Sequence, residues 1–338
     1  MRRKSFRISK AGSLNNIKLV EEKLPEPEEN EVTIEVKTIG LNFADLFAIQ
    51  GLYSATPKGS FIPGLEYSGI IIKKGKNVLD YEIGTRVMGV IRFGAYTTHL
   101  NIDPHYLIKL PEEWSFEEGA SFIVQALTAY YSLVELGNIK QNYTVLIHSA
   151  AGGVGIYANR IAKNFNAFTI GTIGSESKRN FLINEGYDEI IFRSKSFGKK
   201  LRHILEDKRL NIVLESIGGK IFEESFNLLA PSGRIIIYGG AQFMSHSSRP
   251  DYLKLIPKYL FRPKVDPLSL SNMNKSIMGF NLIYLWDKPD ELKVMIKDIL
   301  NMNLQKPYIG KVFSFRNLME ALRYFQSGRS IGKVVVKT

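Results

Sequence analysis

One stretch of the chain has the composition of a phosphate-binding turn. A buried-type strand at 144–148 runs into Ser149-Ala150-Ala151-Gly152-Gly153-Val154-Gly155, where Ala150, Gly152 and Gly155 occupy the three small-residue positions of the GxGxxG pattern. Small residues let a backbone approach a pyrophosphate, and the helix that follows offers free N–H groups. The pattern alone is weak evidence for a phosphate-binding site, and the strand before it and the helix after it strengthen that evidence. It predicts a dinucleotide site, with a tight turn that holds no ligand as the alternative.

The end of the next strand bears on which dinucleotide is bound. An NAD site normally carries Asp or Glu about 20 residues beyond the glycines, where the acid holds the ribose 2′-OH. Here the strand ends at Ile173-Gly174, and Ser175 and Lys178 follow. A small residue leaves room for a 2′-phosphate, and serine and lysine can donate hydrogen bonds to it. Glu176 is the one nearby acid, and we interpret it as a solvent-facing residue of a first helical turn. The pattern favours NADPH over NADH.

The elements around the turn alternate between strand and helix. Strands are predicted at 168–173, 189–192, 212–215 and 234–238, with helices at 156–164, 178–185, 199–205 and 219–229. This alternation predicts a parallel sheet with right-handed crossovers. The first third of the chain instead shows short strands between Gly and Pro turns, which is typical of a compact, barrel-like β domain.

The last third is less regular. Prolines at 250, 257, 263 and 267 make the segment 243–276 irregular. Two helices, at 290–301 and 318–327, and a strand at 333–337 follow, and periodicity does not decide which domain they join.

Composition narrows the class of protein. The 338 residues suggest two domains. The absence of cysteine excludes disulfides, thiolate metal sites and a Cys nucleophile. The net charge is +12, but the basic residues are spread along the chain and interspersed with acidic ones. No nucleic-acid-binding motif accompanies them, so no nucleic-acid partner is expected. No apolar run is long enough to span a bilayer, so no transmembrane segment is predicted and we expect a soluble, cytoplasmic protein.

Several motifs resemble those of the zinc-free quinone oxidoreductases of the medium-chain dehydrogenase/reductase superfamily. They are Asn42–Asp45, Gly51–Tyr53, Pro63–Gly69, Ala126–Tyr130 and His148–Gly155. The segments Gly279–Leu282 and Ile331–Val334 are most similar to the vesicle amine transport protein branch. The resemblance extends from about residue 18 to the C-terminus. It implies an α/β protein with a GroES-like β-barrel catalytic domain (1–123, returning at 277–338) around a Rossmann doubly wound parallel sheet (124–276).

The resemblance also implies that no metal is bound. Zinc dehydrogenases of this superfamily hold zinc through Cys and His near the first motifs, where this chain has Leu41 or Asn42 and keeps only Glu66. His99 and His105 have no partner at ligand spacing.

By resemblance, Asn42 and Tyr53 border the nicotinamide and are the candidate catalytic residues. A developing oxyanion needs a hydrogen-bond donor, which both side chains can supply. The alternatives are a turn residue for Asn42, an aromatic packing residue for Tyr53, and a helix cap for neighbouring Asp45.

The cofactor-binding residues follow from the turn and the resemblance together. They are Asn42, Thr128, Ala151, Gly152, Gly153, Val154, Ser175, Lys178, Gly239, Gly240, Ala241, Phe280, Asn281 and Arg329. Arg329 is expected at the 2′-phosphate, with a solvated turn residue as its alternative.

These observations predict an NADPH-dependent oxidoreductase that transfers hydride to a quinone or an α,β-unsaturated carbonyl, acting as a homodimer. The alternative is a nucleotide-binding interaction protein with little turnover, since a fold does not fix a function. A third class, membrane tethering, depends on the basic and aromatic residues at 252–264, for which a surface helix or subunit contact is the simpler interpretation.

Overall fold

A computed structural model describes all 338 residues of the protein. The N-terminal part contains β1 (Arg2–Ile8), β2 (Ile17–Lys23), β3 (Val32–Gly40), α1 (Phe43–Ile49), β4 (Glu66–Lys74), β5 (Arg86–Val90), β6 (His99–Ile102), β7 (Leu107–Lys109) and α2 (Phe116–Gly119). The middle part contains α3 (Ile123–Tyr130), β8 (Thr144–Ile147), α4 (Gly153–Asn164), β9 (Phe168–Ile173), α5 (Arg179–Asn184), β10 (Glu189–Phe192), α6 (Phe197–Leu205), β11 (Leu210–Glu215), α7 (Gly219–Leu228) and β12 (Arg234–Ile237). The remainder contains α8 (Tyr252–Leu260), α9 (Pro267–Met273), β13 (Ser276–Gly279), α10 (Pro289–Asn301), β14 (Ile309–Ser314), α11 (Leu318–Gln326) and β15 (Lys333–Lys337).

The first sheet joins strands from the two ends of the chain. Its order is β14-β15-β3-β4-β5-β7, with β6 also paired to β3. Antiparallel pairing of β15 with β3 places Val335 opposite Gly40. The C-terminal strands therefore return to the N-terminal domain, a point that periodicity left open and that the family resemblance implied.

The second sheet is parallel, in the order β10-β9-β8-β11-β12-β13. Successive residues of its central strands are buried on opposite faces: Leu146 packs in the cluster with α6 and α7, while Val145 and Ile147 pack with α3, α4 and α10. Burial of both faces requires continuous apolar runs. The strand order reverses between β8 and β11, which is where such sheets bind ligands. The predicted α/β fold, with its GroES-like and Rossmann parts, is confirmed.

The segment predicted as irregular contains two helices. Asp251 accepts a hydrogen bond from the Lys254 N–H at the start of α8, and Asp266 accepts one from the Leu268 N–H at the start of α9. Pro267 is tolerated because it occupies the first turn, where its missing N–H costs nothing. In this segment, the hydrogen-bonded caps at Asp251 and Asp266 therefore allow two helices to form despite the prolines. β13 pairs with β12, so the parallel sheet continues to Gly279, past the domain boundary predicted at residue 276.

No helix combines the length and the apolar character that crossing a membrane requires.

Candidate active site

A cavity of about 270 Å³ lies between the two domains. Its walls are mainly apolar and come from both sheets. Of the predicted site residues, those that line it are Asn42, Tyr53, Thr128, Gly152, Gly153, Val154, Gly239, Gly240, Ala241, Phe280 and Asn281. Ala151, Ser175, Lys178 and Arg329 do not line it.

The phosphate-binding turn forms one wall of the cavity. β8 ends at Ile147, and α4 begins after Gly152. Gly152 has an extended backbone and occupies the N-cap position, but no side chain there accepts a hydrogen bond from the helix N–H groups. The first N–H groups of a helix have no partner within the helix, so those of Gly153, Val154 and Gly155 are available to a ligand. A Cβ on Gly155 would lie 2.5 Å from the Ala150 carbonyl oxygen, so the close packing of turn and helix requires glycine there. The uncapped N-terminus fits a pyrophosphate.

The C-terminal loop is hydrogen-bonded to this turn. The Gly332 N–H donates to the Ala151 carbonyl at 2.8 Å, and Ser330 and Gly332 both line the cavity. Ala151 itself is buried. It acts through its backbone, as the attachment point of the loop, rather than through a side chain that faces the cavity.

Two cations lie at the end of β9, beside the predicted ribose position. Lys178 Nζ donates to the carbonyls of Gly328 and Ser330, each at 2.7 Å. The Arg193 guanidinium donates to Thr172 Oγ1 at 3.2 Å and lies so close to Gly174 that an added Cβ there would be 2.7 Å from Nη2. Burial, together with the charge of Arg193, lowers the pKa of Lys178. Neither cation forms an ion pair, so the pair of cations fits an anionic group.

The other predicted residues of this region point elsewhere. Ser175 is exposed and its hydroxyl hydrogen-bonds with that of Ser177. Glu176 pairs with Arg179 at 2.7 Å on the surface, which agrees with its interpretation as a solvent-facing residue. Arg329 is exposed and donates from Nε to Ser327 Oγ at 3.1 Å.

The opposite wall of the cavity is supported by a buried charged cluster. Lys333 Nζ lies 2.5 Å from Glu66 Oε2 and 2.8 Å from Asn42 Oδ1, and all three side chains are buried. The Val124 N–H, at the start of α3, donates to Glu66 Oε1 at 2.9 Å. The Asn42 amide nitrogen lies 3.2 Å from the Gly40 carbonyl. The cluster therefore fixes the Asn42 side chain from both ends.

A second buried carboxyl holds the helix that follows Asn42. Asp45 Oδ2 accepts hydrogen bonds from the Asn42 N–H at 2.8 Å and the Tyr96 hydroxyl at 3.0 Å, while Oδ1 is buried with no partner. Burial raises the pKa of Asp45 to about 7. The expected helix-capping role of Asp45 is present.

Tyr53 reaches across the cavity mouth to the second domain. Its hydroxyl donates to Asn281 Oδ1 at 2.7 Å, and burial raises its pKa to about 12. Asn281 follows β13, and its amide nitrogen makes no hydrogen bond within the protein. Tyr284 continues the same connection, since its hydroxyl lies 2.9 Å from Ser54 Oγ.

The remaining predicted residues are held by their elements. Thr128 Oγ1 donates to the Val124 carbonyl one turn earlier in α3, at 2.6 Å. Gly239, Gly240 and Ala241 follow β12, with the Ala241 N–H bonded to the Ser216 carbonyl. The Phe280 ring packs against Tyr131, with centroids 4.9 Å apart.

Sequence reasoning missed a buried histidine–glutamate pair under the turn. His148 Nε2 lies 3.0 Å from Ser225 Oγ and 3.4 Å from Glu215 Oε2, and burial lowers the pKa of His148 to about 3. Glu215 Oε1 accepts the N–H groups of Ile217 and Gly218, and burial raises its pKa. The pair orders the loop after β11 at the cavity edge. His148 adjoins the turn in the sequence, but Glu215 carries no local signal.

No group of three or more His, Cys, Asp or Glu side chains comes together in a way that could hold a metal ion. His105 is bonded to Asp103, and His99 to Thr98. The cation that lies beside Glu66 is the Lys333 ammonium group.

Comparisons with known proteins agree with this architecture. The family profile "Alcohol dehydrogenase GroES-like domain" matches residues 28–112, and "Zinc-binding dehydrogenase" matches residues 153–296. The chain is 33% identical to the synaptic vesicle membrane protein VAT-1 homolog of Danio rerio, over 97% of this chain and 68% of that protein. It is 31% identical to the human VAT-1 homolog, over 92% of this chain and 80% of that protein.

Solved structures show the same fold over nearly the whole chain. The human VAT-1 homolog-like protein superposes with a TM-score of 0.85 at 28% identity, covering 100% of this chain and 98% of that one. Escherichia coli quinone oxidoreductase, crystallised with NADPH, gives a TM-score of 0.86 at 25% identity and covers 100% of both chains. The chain belongs to the medium-chain dehydrogenase/reductase superfamily of oxidoreductases, in which its relatives include the VAT-1 homologues and the quinone oxidoreductases.

Proposed function

We propose that the protein is an NADPH-dependent oxidoreductase that transfers hydride to an apolar quinone or α,β-unsaturated carbonyl. The observation that carries the proposal is an apolar cavity whose wall includes the N-terminus of α4, with two cations that form no ion pair nearby at the end of β9. Anions are stabilised at helix N-termini and by Lys and Arg donors. The quinone oxidoreductases of Escherichia coli and Thermus thermophilus, solved with NADPH, support the choice of cofactor.

Different residues would bind different parts of the cofactor. The N–H groups of Gly153, Val154 and Gly155 would hold the pyrophosphate. Lys178 and Arg193 would hold the 2′-phosphate, since no acid occupies the end of β9 and Gly174, which has no side chain, allows the Arg193 guanidinium to lie beside it. When bound, NADPH supplies the hydride.

A polarised carbonyl acquires negative charge on its oxygen as hydride reaches carbon, so the cavity must present a donor to that oxygen. The Tyr53 proton is engaged with Asn281 Oδ1, which leaves the Asn281 amide N–H groups free. We propose that Asn281 donates to the substrate oxygen and that Tyr53 fixes the orientation of its amide. Tyr53 stays neutral at pH 7, because its pKa lies near 12, and so keeps the proton that this arrangement needs.

Asn42 has a different part in this proposal. Its amide nitrogen faces Gly40 and Glu66, and its oxygen accepts from Lys333, so its polar atoms are already bonded. It would shape the nicotinamide end of the cavity through a fixed position rather than by donating to substrate.

The test is an assay of NADPH oxidation against a panel of apolar quinones and enones, with NADH in parallel and NADPH binding followed by calorimetry. We expect turnover with at least one quinone and tighter binding of NADPH than of NADH. NADPH binding with no turnover across the panel would favour the interaction protein instead. Failure to bind either dinucleotide would overturn the proposal.

The homodimer stays a prediction. β13 is the last strand of the parallel sheet, with one side paired to β12 and the other without a strand neighbour, and we propose this edge as the subunit contact, to be tested by sedimentation.

A further inference from the structure

Gly153, the first residue of α4, is a glycine that the phosphate-binding pattern does not require. The small-residue positions of that pattern are Ala150, Gly152 and Gly155. The φ of Gly153 is not positive, so its backbone conformation does not favour glycine either. The reason lies in a neighbouring side chain: an added Cβ on Gly153 would lie 1.7 Å from Gln125 Oε1 and 2.4 Å from Gln125 Nε2. Glycine at this position therefore lets the Gln125 amide lie against the start of α4.

The Gln125 amide has no hydrogen-bond partner within the protein. Gln125 belongs to α3, lines the cavity between the domains and is only 7% exposed. Its amide atoms keep some accessible surface, whereas the unpartnered Gln50 Oε1 is sealed in the interior. A nearly buried amide without partners costs free energy, and a ligand in the cavity would supply the missing hydrogen bond.

We infer that Gln125 binds the pyrophosphate of the dinucleotide, by donating a hydrogen bond from Nε2 to a phosphate oxygen. The inference depends on the proposed function, which places the pyrophosphate at the first N–H groups of α4. Gln125 borders that same helix start through its contact with Gly153. Phosphate oxygens only accept hydrogen bonds, so the amide must present its nitrogen, and no protein partner holds it in the opposite orientation.

The test is calorimetric titration of the full chain with NADPH, NADH, 2′-phospho-ADP-ribose and 2′-AMP. The third ligand has the pyrophosphate but no nicotinamide, and the fourth has neither. Gln125→Met keeps the length of the side chain and removes both of its hydrogen-bonding atoms. It should weaken binding of the three pyrophosphate ligands by about ten- to a hundredfold, the range for a lost hydrogen bond to a charged group. Binding of 2′-AMP should stay unchanged.

Further variants fix the place of the contact. Gln125→Glu should weaken the same three ligands more than Gln125→Met does, because a carboxylate repels the pyrophosphate. Gly153→Ala displaces the amide and should weaken them in the wild-type chain, yet add little in a Gln125→Ala chain, since effects of residues in contact are not additive. Gln305→Met is the matched control, because Gln305 is exposed and does not line this cavity. Thermal unfolding establishes that each variant is folded.

The outcomes separate this inference from the proposed function. Unchanged dinucleotide binding in Gln125→Met would make the glutamine a packing residue and overturn the inference, while the proposed function stands. A loss confined to NADPH and NADH would move the contact to the nicotinamide, and an equal loss for 2′-AMP would indicate a general distortion of the site. Tighter binding would make Gln125 an obstruction. Each of these results contradicts the inference, and a wild-type chain that binds none of the ligands would overturn both proposals.

Discussion

The two halves of the proposed site, one for the cofactor and one for the substrate, are built by different means. The cofactor half consists of backbone N–H groups, glycines and two cations that contact carbonyl and hydroxyl groups. The substrate half consists of side chains, and its position depends on the buried cluster of Asn42, Glu66 and Lys333. A site made of backbone tolerates changes in the side chains around it, whereas a site resting on a buried ion pair fails when one partner is removed.

The largest effect is expected on the free energy of unfolding, when the buried Glu66–Lys333 pair is broken. Lys333→Met leaves Glu66 without its cation, which typically costs about 3–5 kcal/mol of unfolding free energy. Denaturant titration measures the loss. Lys337→Met is the matched control, because Lys337 lies on the same strand and forms a more exposed pair with Glu117, whose contribution is about 0–1 kcal/mol. Equal losses in the two variants would show that the substrate half does not depend on this pair.

The second prediction separates donor from positioning residue within the substrate half. Asn281→Ala should lower kcat for an enone by about 10²–10³-fold, the usual effect of removing an oxyanion donor. Tyr53→Phe should lower it less, since the amide remains and loses only its orientation. NADPH affinity should stay near wild type in Tyr53→Phe.

The comparison of the two variants decides the roles. A larger loss in Tyr53→Phe than in Asn281→Ala would make the tyrosine hydroxyl the donor. A quinone should be less sensitive than an enone in both variants, because it accepts hydride more readily.

The third prediction concerns the cofactor half. Arg193→Ala and Lys178→Ala should each weaken NADPH binding by about ten- to a hundredfold, the range for a lost charge-assisted hydrogen bond, and leave NADH binding nearly unchanged. Calorimetric titration with both dinucleotides measures this. Arg179→Ala is the control, since Arg179 is occupied by Glu176 on the surface. An equal loss for NADH and NADPH would contradict the assignment of the 2′-phosphate.

The smallest effect is expected at Asp45. Its folded-state pKa of about 7 lies above the ordinary 3.8, so the folded protein keeps a proton that the unfolded chain releases. Stability from this group is therefore present at low pH and is lost as the pH rises through 7. Between pH 6 and 8 the loss is about 1.4 kcal/mol.

Asp45→Asn removes that titration. The difference in unfolding free energy between wild type and Asp45→Asn should shrink by this amount from pH 6 to pH 8, while the difference for the exposed Asp80→Asn stays constant. A constant difference for Asp45→Asn would mean that its carboxyl is ionised in the fold.

The contrast between the halves also explains what the sequence could predict. The turn at 149–155 was recognisable because its strand, glycines and helix are contiguous. Arg193 was missed although it follows a predicted strand directly, because only the fold places β10 beside β9. The Glu66–Lys333 pair is separated by 267 residues, and no local pattern indicates it. Lys333 does open a strand of three valines, which is the one hint that its side chain is enclosed.

The caps of α8 and α9 show the same limit. Asp251 and Asp266 each stand where a helix begins, yet the prolines around them gave the stronger local signal. Predictions based on periodicity therefore held where apolar residues repeat, and were incomplete where a single side-chain contact starts an element.

The position of Lys333 near the C-terminus also affects the order in which the two domains can fold during synthesis. Glu66 emerges from the ribosome 267 residues before its partner, a delay on the order of 10 to 50 s at ordinary elongation rates. During that interval the first domain lacks β14 and β15 and cannot bury Glu66 as a compensated charge. The Rossmann sheet, whose strands all lie within 144–279, is complete earlier. The inserted domain can therefore fold first, and the domain that begins the chain is finished last.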